Sequence, residues 1–196
     1  MLNTIIMMYV TLLPPIFAGA LNMGWCKSKL MKPFMVPMDM GKNFADGKRI
    51  FGDNKTWKGF LGYLCFNAIC ASVWGVVCRA AAIEHLNYFY VNHENTFSFN
   101  LLIGLMLGLG YALFELPNSF LKRRLDIEPG KSVSGIWKIF FVFLDQADSV
   151  FGCALVVWFF YDLGIGKYLL YVLVGAATHI VVNMLLYFMK LRKNMF

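Results

Sequence analysis

The sequence predicts an all-α integral membrane protein with about five transmembrane helices. Three observations lead there. Of the 196 residues, 59% are hydrophobic and only 15% are charged, whereas a soluble domain is nearer half apolar and a quarter charged. Apolar stretches of spanning length, about 20 residues, recur five times. Sixteen of the eighteen Lys and Arg residues then fall on one side of a five-helix arrangement, the asymmetry that the positive-inside bias produces. A four- or six-helix count would split the basic segments between the two sides.

The elements follow in order. The first span, about 3–25, has no basic residues ahead of it, so it reads as a membrane helix that stays rather than a signal peptide. Its Pro14-Pro15 pair predicts a kink. The second span is about 60–82. The third, about 99–117, ends at Pro117, which is expected to stop the helix and leave Glu115 at the interface. The fourth and fifth are about 137–161 and 168–190. A long polar segment (26–59), a shorter one (83–98), a basic one (118–136) and a tight turn (162–167) connect them. The first basic group runs from Lys27 to Lys58, the second holds Lys122, Arg123, Arg124, Lys131 and Lys138, and the tail holds Lys190, Arg192 and Lys193. Only Arg79 and Lys167 fall on the other side.

This pattern expects one polytopic domain over 1–196 in the cell membrane, with the N-terminus outside. The loops at about 26–59 and 118–136 and the C-terminus are then cytoplasmic, and an active site built on them faces the cytoplasm. The same bias explains part of the formal charge of +7, with the lipid bilayer rather than nucleic acid as the expected partner. The five cysteines show no paired spacing, which argues against a disulfide framework or zinc site; they read as small buried hydrophobes. A homo-oligomer stays open.

Two carboxylates interrupt the fourth span, IWKIFFVFLDQADSVFGCALVVWFFY. Asp145 and Asp148 are three residues apart, with Ser149 and Gly152 on the same helix face. Each carboxylate within a span costs about 2.5–3.5 kcal/mol on insertion scales, and two together repel unless a cation or proton separates them. An oxygen-ligated Mg²⁺, usually held by one or two carboxylates plus substrate phosphates, satisfies the pair. A helix that starts later, with both Asp residues capping it at the interface, is the other reading. In the last span, His179 and Asn183 are i,i+4 neighbours and are expected to hydrogen-bond a neighbouring helix.

The stretch DGKRIFGDNKTWKGF, 46–60, interleaves Lys48, Arg49, Lys55 and Lys58 with three glycines. It is not a phosphate-binding Walker loop: Asp53 and Asn54 separate Gly52 from Lys55-Thr56, and no strand precedes it. Yet Lys55-Thr56 leads into a helix, and a helix N-terminus is a natural anion site. A solvated basic loop fits the composition equally well. SFLKRRLDIEPGK, 119–131, adds Lys122, Arg123 and Arg124. Arginine grips phosphate with paired hydrogen bonds, and an anionic lipid headgroup satisfies the same cluster.

In this order and spacing, DGKRIFGDNKTWKGF, KRRLDIEPGK and FLDQADSVFG closely resemble the CDP-archaeol synthase family. The resemblance covers nearly the whole chain, including LLPP in the first span and THIVVN in the last. More distantly, KTWKG, SFLKR and DQAD are similar to the signature of phosphatidate cytidylyltransferases. That signature has Arg where this chain has Gln146, and carries Lys-Asp and His-Gly-Gly segments absent here.

The family resemblance implies a CTP-dependent enzyme in which a membrane lipid phosphate attacks the α-phosphorus of CTP, with Mg²⁺. It implies metal binding by Asp145 and Asp148, joined by Asp39 or alternatively Asp46. Lys48, Arg49, Lys55, Thr56 and Lys58 would hold the triphosphate, with Lys55 counted among the catalytic groups. Lys122, Arg123 and Arg124 would hold the lipid phosphate or the leaving pyrophosphate.

Other readings are a phosphatidate cytidylyltransferase making CDP-diacylglycerol, a CTP-dependent polyprenol kinase, a CDP-alcohol phosphotransferase and a small non-enzymatic transporter. The phosphotransferase carboxylate spacing is missing after Asp46-Gly47. A transporter would carry polar residues through several spans, whereas here they gather at one end.

Overall fold

The structure is a computed structural model and describes residues 2–129 and 135–190, so Lys131, Arg192 and Lys193 of the basic clusters lie outside it. Among the described residues five helices are long and apolar enough to cross a membrane: α1 (Leu2–Lys27), α2 (Trp57–Ala80), α4 (Phe97–Arg124), α5 (Lys138–Phe160) and α6 (Gly164–Phe188), with a short α3 (Tyr88–Asn92) between the second and third. Each of the five covers one of the expected spans. No strand forms among the described residues; two isolated antiparallel bridges, Pro37–Thr56 and Asn43–Arg49, order the segment before α2.

Helix starts follow local chemistry. The hydroxyl of Thr56 accepts the Gly59 amide at 3.2 Å, and Thr96 accepts Phe99 N–H at 3.3 Å, so α2 and α4 each begin at a threonine cap. α1 is one helix through Pro14 and Pro15.

The third helix departs from expectation. α4 continues through Pro117 to Arg124. Its last turn carries Lys122, Arg123 and Arg124, whose charges favour a helix C-terminus, and the Leu125 amide closes that turn on Leu121 and Lys122. These three basic residues are therefore helical rather than part of a loop. The cysteines also differ. All five are free, only Cys78 and Cys153 are buried, and Cys65 is exposed on α2.

α4 is the central element, packed between α2 and α5, with α1 outside α2 and α6 outside α5. Glycines set those contacts. A Cβ at Gly104 would lie 2.5 Å from Ala68 Cα, and one at Gly108 would lie 2.6 Å from the Tyr63 carbonyl oxygen. On the opposite side, a Cβ at Gly110 would stand 2.8 Å from the Gly152 carbonyl oxygen. Small residues let membrane helices approach to backbone contact, and here they bring α2, α4 and α5 together around the polar groups described next. At the far end, α3 closes the bundle with buried Tyr88 and Phe89; Tyr88 packs against Tyr161 and Tyr171.

Candidate active site

Asp145 and Asp148 sit in the second and third turns of α5, so the reading in which they cap a later-starting helix is excluded. Asp148 is only 8% exposed. One side chain of α4 joins the two: Asn118 Nδ2 donates to Asp145 Oδ1 at 2.7 Å and to Asp148 Oδ2 at 2.8 Å. From the next turn of α4, Lys122 Nζ donates to both Asp145 oxygens at 2.5 and 2.6 Å.

A second pair stands beside the first. Lys55, immediately before the cap of α2, donates to Glu115 of α4, and Tyr63 Oη donates to the other Glu115 oxygen at 3.4 Å. Burial alone would push the Lys55 ammonium down, but Glu115, Asp148 and Asp145 together hold it above its usual range. Glu115 is thus a half-buried site group, paired with Lys55 across α4 and the start of α2.

Glu115, Asn118 and Lys122 are spaced i, i+3, i+7, one face of a continuous α4. The helix break that Pro117 suggests in the sequence would separate Glu115 from Asn118, and only the continuous α4 reveals Asn118 as a site residue.

These groups lie at or beside the polar end of a cavity of about 450 Å³. Asn54, Lys55, Thr56, Glu115 and Asp145 form that end, and residues of α1 and α6 such as Leu12, Ile16, Val174 and Val182 form an apolar wall. α1 and α6 meet across it through a 2.9 Å hydrogen bond between Tyr9 Oη and Thr178 Oγ1. His179 and Asn183 line the cavity and also tie α6 to α5. His179 Nδ1 is 3.1 Å from the Gln146 carbonyl, and Asn183 Nδ2 donates to Gln146 Oε1 at 2.6 Å, the interhelical role expected of them. Gln146 itself is 1% exposed and points away from the carboxylate pair.

The remaining sequence candidates are not brought to this cavity. Lys58 is 1% exposed. Its Nζ caps the end of α1, donating to the Ser28 carbonyl at 2.8 Å with the Trp25 ring 4.9 Å away. Lys48 pairs with Asp126 at 2.7 Å and donates to the Arg124 carbonyl at 2.9 Å. Arg124 in turn reaches Asp46 at 3.0 Å and the Arg49 carbonyl at 2.5 Å, and lies over the rings of Phe120 and Phe44.

Asp39 does not present a free metal ligand. Its carboxylate accepts from Arg49 at 2.7 and 3.3 Å and from the amides of Phe51 and Gly52 at 2.9 Å and Gly41 at 3.1 Å. Burial pushes its carboxyl up, but the Arg49 guanidinium and those amides outweigh burial and hold it well below the usual carboxylate range. Asp46 is taken up by Arg124 and the Lys48 amide. Arg123 lies under the Gly52 turn, 8% exposed. The segment 39–53 is therefore a folded cap clamped onto the end of α4, in which the charges mostly answer one another.

Among the described residues no three His, Cys, Asp or Glu side chains converge as a ready-made metal cage. The donor set does fit a hard divalent cation that keeps substrate or water oxygens. Asp145 and Asp148 are close enough to share one amide group, and Asn118 Oδ1 is buried beside them without a hydrogen-bond partner. Such an orphaned buried oxygen is costly unless something binds it.

A family description, CarS-like CDP-archaeol synthase, matches residues 2–196. The CDP-archaeol synthase of Pyrococcus furiosus is 32% identical over 154 residues, covering 79% of this chain and 80% of that protein. That of Methanospirillum hungatei is 31% identical over 164 residues, covering 81% and 88%. A solved structure, described as giving structural insight into an intramembrane enzyme for archaeal membrane lipids biosynthesis, superposes with a TM-score of 0.56 at 24% identity. It covers 90% of this chain and 92% of that one, and establishes a shared fold.

Proposed function

Because the chain belongs to the CDP-archaeol synthase family, we propose that it transfers CMP from CTP to an isoprenoid glycerol phosphate in membrane phospholipid biosynthesis. The observation that carries this reading is a carboxylate pair, bridged by Asn118, standing beside the Lys55–Glu115 pair where a polar pocket opens onto an apolar wall. A substrate with a phosphate head and hydrocarbon tails needs both halves.

In the reaction, a lipid phosphate oxygen bonds to the α-phosphorus of CTP while the bond to the β-phosphate breaks and pyrophosphate leaves. The nucleophile is already an oxyanion, so no strong general base is required. Positioning and charge stabilisation carry the step. Lys55 supplies a fixed positive charge at the cavity wall, and Thr56 and Asn54 offer hydrogen-bonding groups beside it. Glu115 holds Lys55 in place and keeps it charged. Lys122 screens Asp145 and would be available to phosphate oxygens bound at the same edge. Mg²⁺, held by Asp145 and Asp148 with Asn118 Oδ1 available, would neutralise charge on the phosphates. The apolar faces of α1 and α6 would accept the start of the lipid tails.

We further assign the N-terminus to the outside and the carboxylate end to the cytoplasm, from the basic bias of the 26–59 and 118–136 segments. The test incubates purified protein with labelled CTP, Mg²⁺ and a panel of isoprenoid-ether and fatty-ester glycerol phosphates. CDP-lipid should form from the ether substrate. Asp145→Asn and Asp148→Asn should each abolish turnover in protein that still melts cooperatively. Untouched label with every lipid, or full activity in both variants, would refute the proposal.

A further inference from the structure

Ahead of the site, residues 28–36 leave the end of α1 and return to α2 without covering their own apolar side chains. Leu30 is 65% exposed and Met31 and Met35 are each 50% exposed; Phe34 and Val36 are exposed as well. Five large apolar side chains in seven residues form a patch that a water-facing loop would not carry. Main-chain hydrogen bonds order the patch. Phe34 N–H donates to the Met31 carbonyl at 3.1 Å and Met35 N–H to Lys32 at 2.9 Å. Both ends are tied to the 55–58 stretch. Lys58 Nζ holds the Ser28 carbonyl at 2.8 Å, while Trp57 N–H donates to Val36 at 3.0 Å and Met38 N–H to Lys55 at 2.7 Å.

Two features identify what covers it. The patch follows directly on α1, a helix long and apolar enough to cross the membrane, on which Phe17 and Leu21, four residues apart, are also exposed. The exposed Lys29 and Lys32 are interleaved with it, and no acidic residue occurs before Asp39, whose carboxylate is enclosed. Apolar side chains flanked by lysines at a helix end are the pattern of a segment lying in the headgroup layer, with basic groups on anionic lipid phosphates.

We propose that residues 28–36 form an interfacial bracket bound to the anionic lipid surface. Through the bonds to Lys55, Trp57 and Lys58, the bracket fixes the depth of Lys55, and hence of the cavity mouth, at the level of the lipid phosphates.

The test is hydrogen exchange of the full chain, one copy per nanodisc, in phosphatidylcholine alone or mixed with phosphatidylglycerol. Amides of 29–36 should exchange more slowly in the anionic discs. K29Q and K32Q should each reduce that difference by about fivefold, the weight of one lysine near an anionic surface, while amides within α2 and α5 stay protected. Equal exchange of the unmodified chain in both disc types would overturn the proposal, whatever the variants do. So would protection that appears only with two copies per disc, which would make the patch a self-association face. The readout involves no catalysis, so it stands or falls separately from the proposed activity.

Discussion

Replacing Gly152 by alanine should damage the site without touching any of its polar groups. A Cβ at Gly152 would stand 2.6 Å from the carbonyl carbon of Gly110 on α4, closer still to its oxygen, and 2.9 Å from Phe114 Cδ2. Ordinary carbon contacts need about 3.5 Å, so α4 and α5 must separate by roughly 0.9 Å at this level. Asp148 is one turn away on α5, and Asn118 is two turns from Gly110 on α4. Its two bonds to the carboxylates, now 2.7 and 2.8 Å, would stretch to about 3.6 Å, beyond useful hydrogen-bond length. Overpacking costs about 1–3 kcal/mol, and a weakened hydrogen bond to a charged group adds about 1.5–3 kcal/mol. A total near 4 kcal/mol corresponds to a melting shift of roughly 10 °C for a chain of this size. The assay pairs thermal unfolding in detergent with CDP-lipid formation. Gly24→Ala, where an added Cβ meets nothing within 4 Å, is the control and should match the unmodified protein. If Gly152→Ala melted and turned over like that control, the claim that backbone contact between α4 and α5 sets the carboxylate geometry would be wrong.

Lys58→Met should destabilise the protein by about 1–3 kcal/mol, the cost of leaving the half-buried Ser28 carbonyl without the partner that the buried Lys58 gives it, with the KM for CTP unchanged; a large rise in that KM at normal stability would return Lys58 to the triphosphate. Because the folded Asp39 carboxyl lies below its ordinary range, its contribution to the cap is complete at neutral pH and is lost as pH falls below about 3.9. Trp57 fluorescence should report cap loosening over that acid range, and Asp39→Asn should flatten this response while weakening the cap at pH 7. Gly52 has a φ of +98°, and a Cβ there would lie 2.8 Å from Pro129 Cγ, so Gly52→Ala should cost about 1–3 kcal/mol in strain. Limited proteolysis within 39–53 should accelerate, and unchanged cleavage would show that the cap does not depend on this turn.

The five spans were legible because uninterrupted hydrophobic runs of that length seldom occur outside a bilayer. Asp145 and Asp148 were legible for the converse reason: charge inside such a run is expensive and stands out. Glu115 and Asn118 were not, since a proline between them resembles a helix end and only a continuous α4 places them on one face with Lys122. The basic loops were the least legible. Lys48 meets Asp126, 78 residues away, and Arg124 meets Asp46. No local pattern distinguishes a lysine waiting for phosphate from one already paired across the fold. Composition left a solvated loop and an anion site equally open at 46–60, and the structure divides the stretch: Lys55 and Thr56 line the cavity, while Lys48, Arg49 and Lys58 hold the scaffold.

The glycines of α4 have a consequence for how freely this chain can vary. Gly104 and Gly108 meet the α2 backbone and Gly110 meets that of α5, so the spacing of the three site-bearing helices is set by main chain rather than by matched side chains. Interlocking side chains demand compensating changes in pairs, whereas a backbone contact demands only that a few positions stay small. The outward faces of the helices, where Val73, Leu105 and Leu155 are exposed, are then free to drift with the thickness and fluidity of the host membrane while the distances among Asn118, Asp145 and Asp148 remain the same.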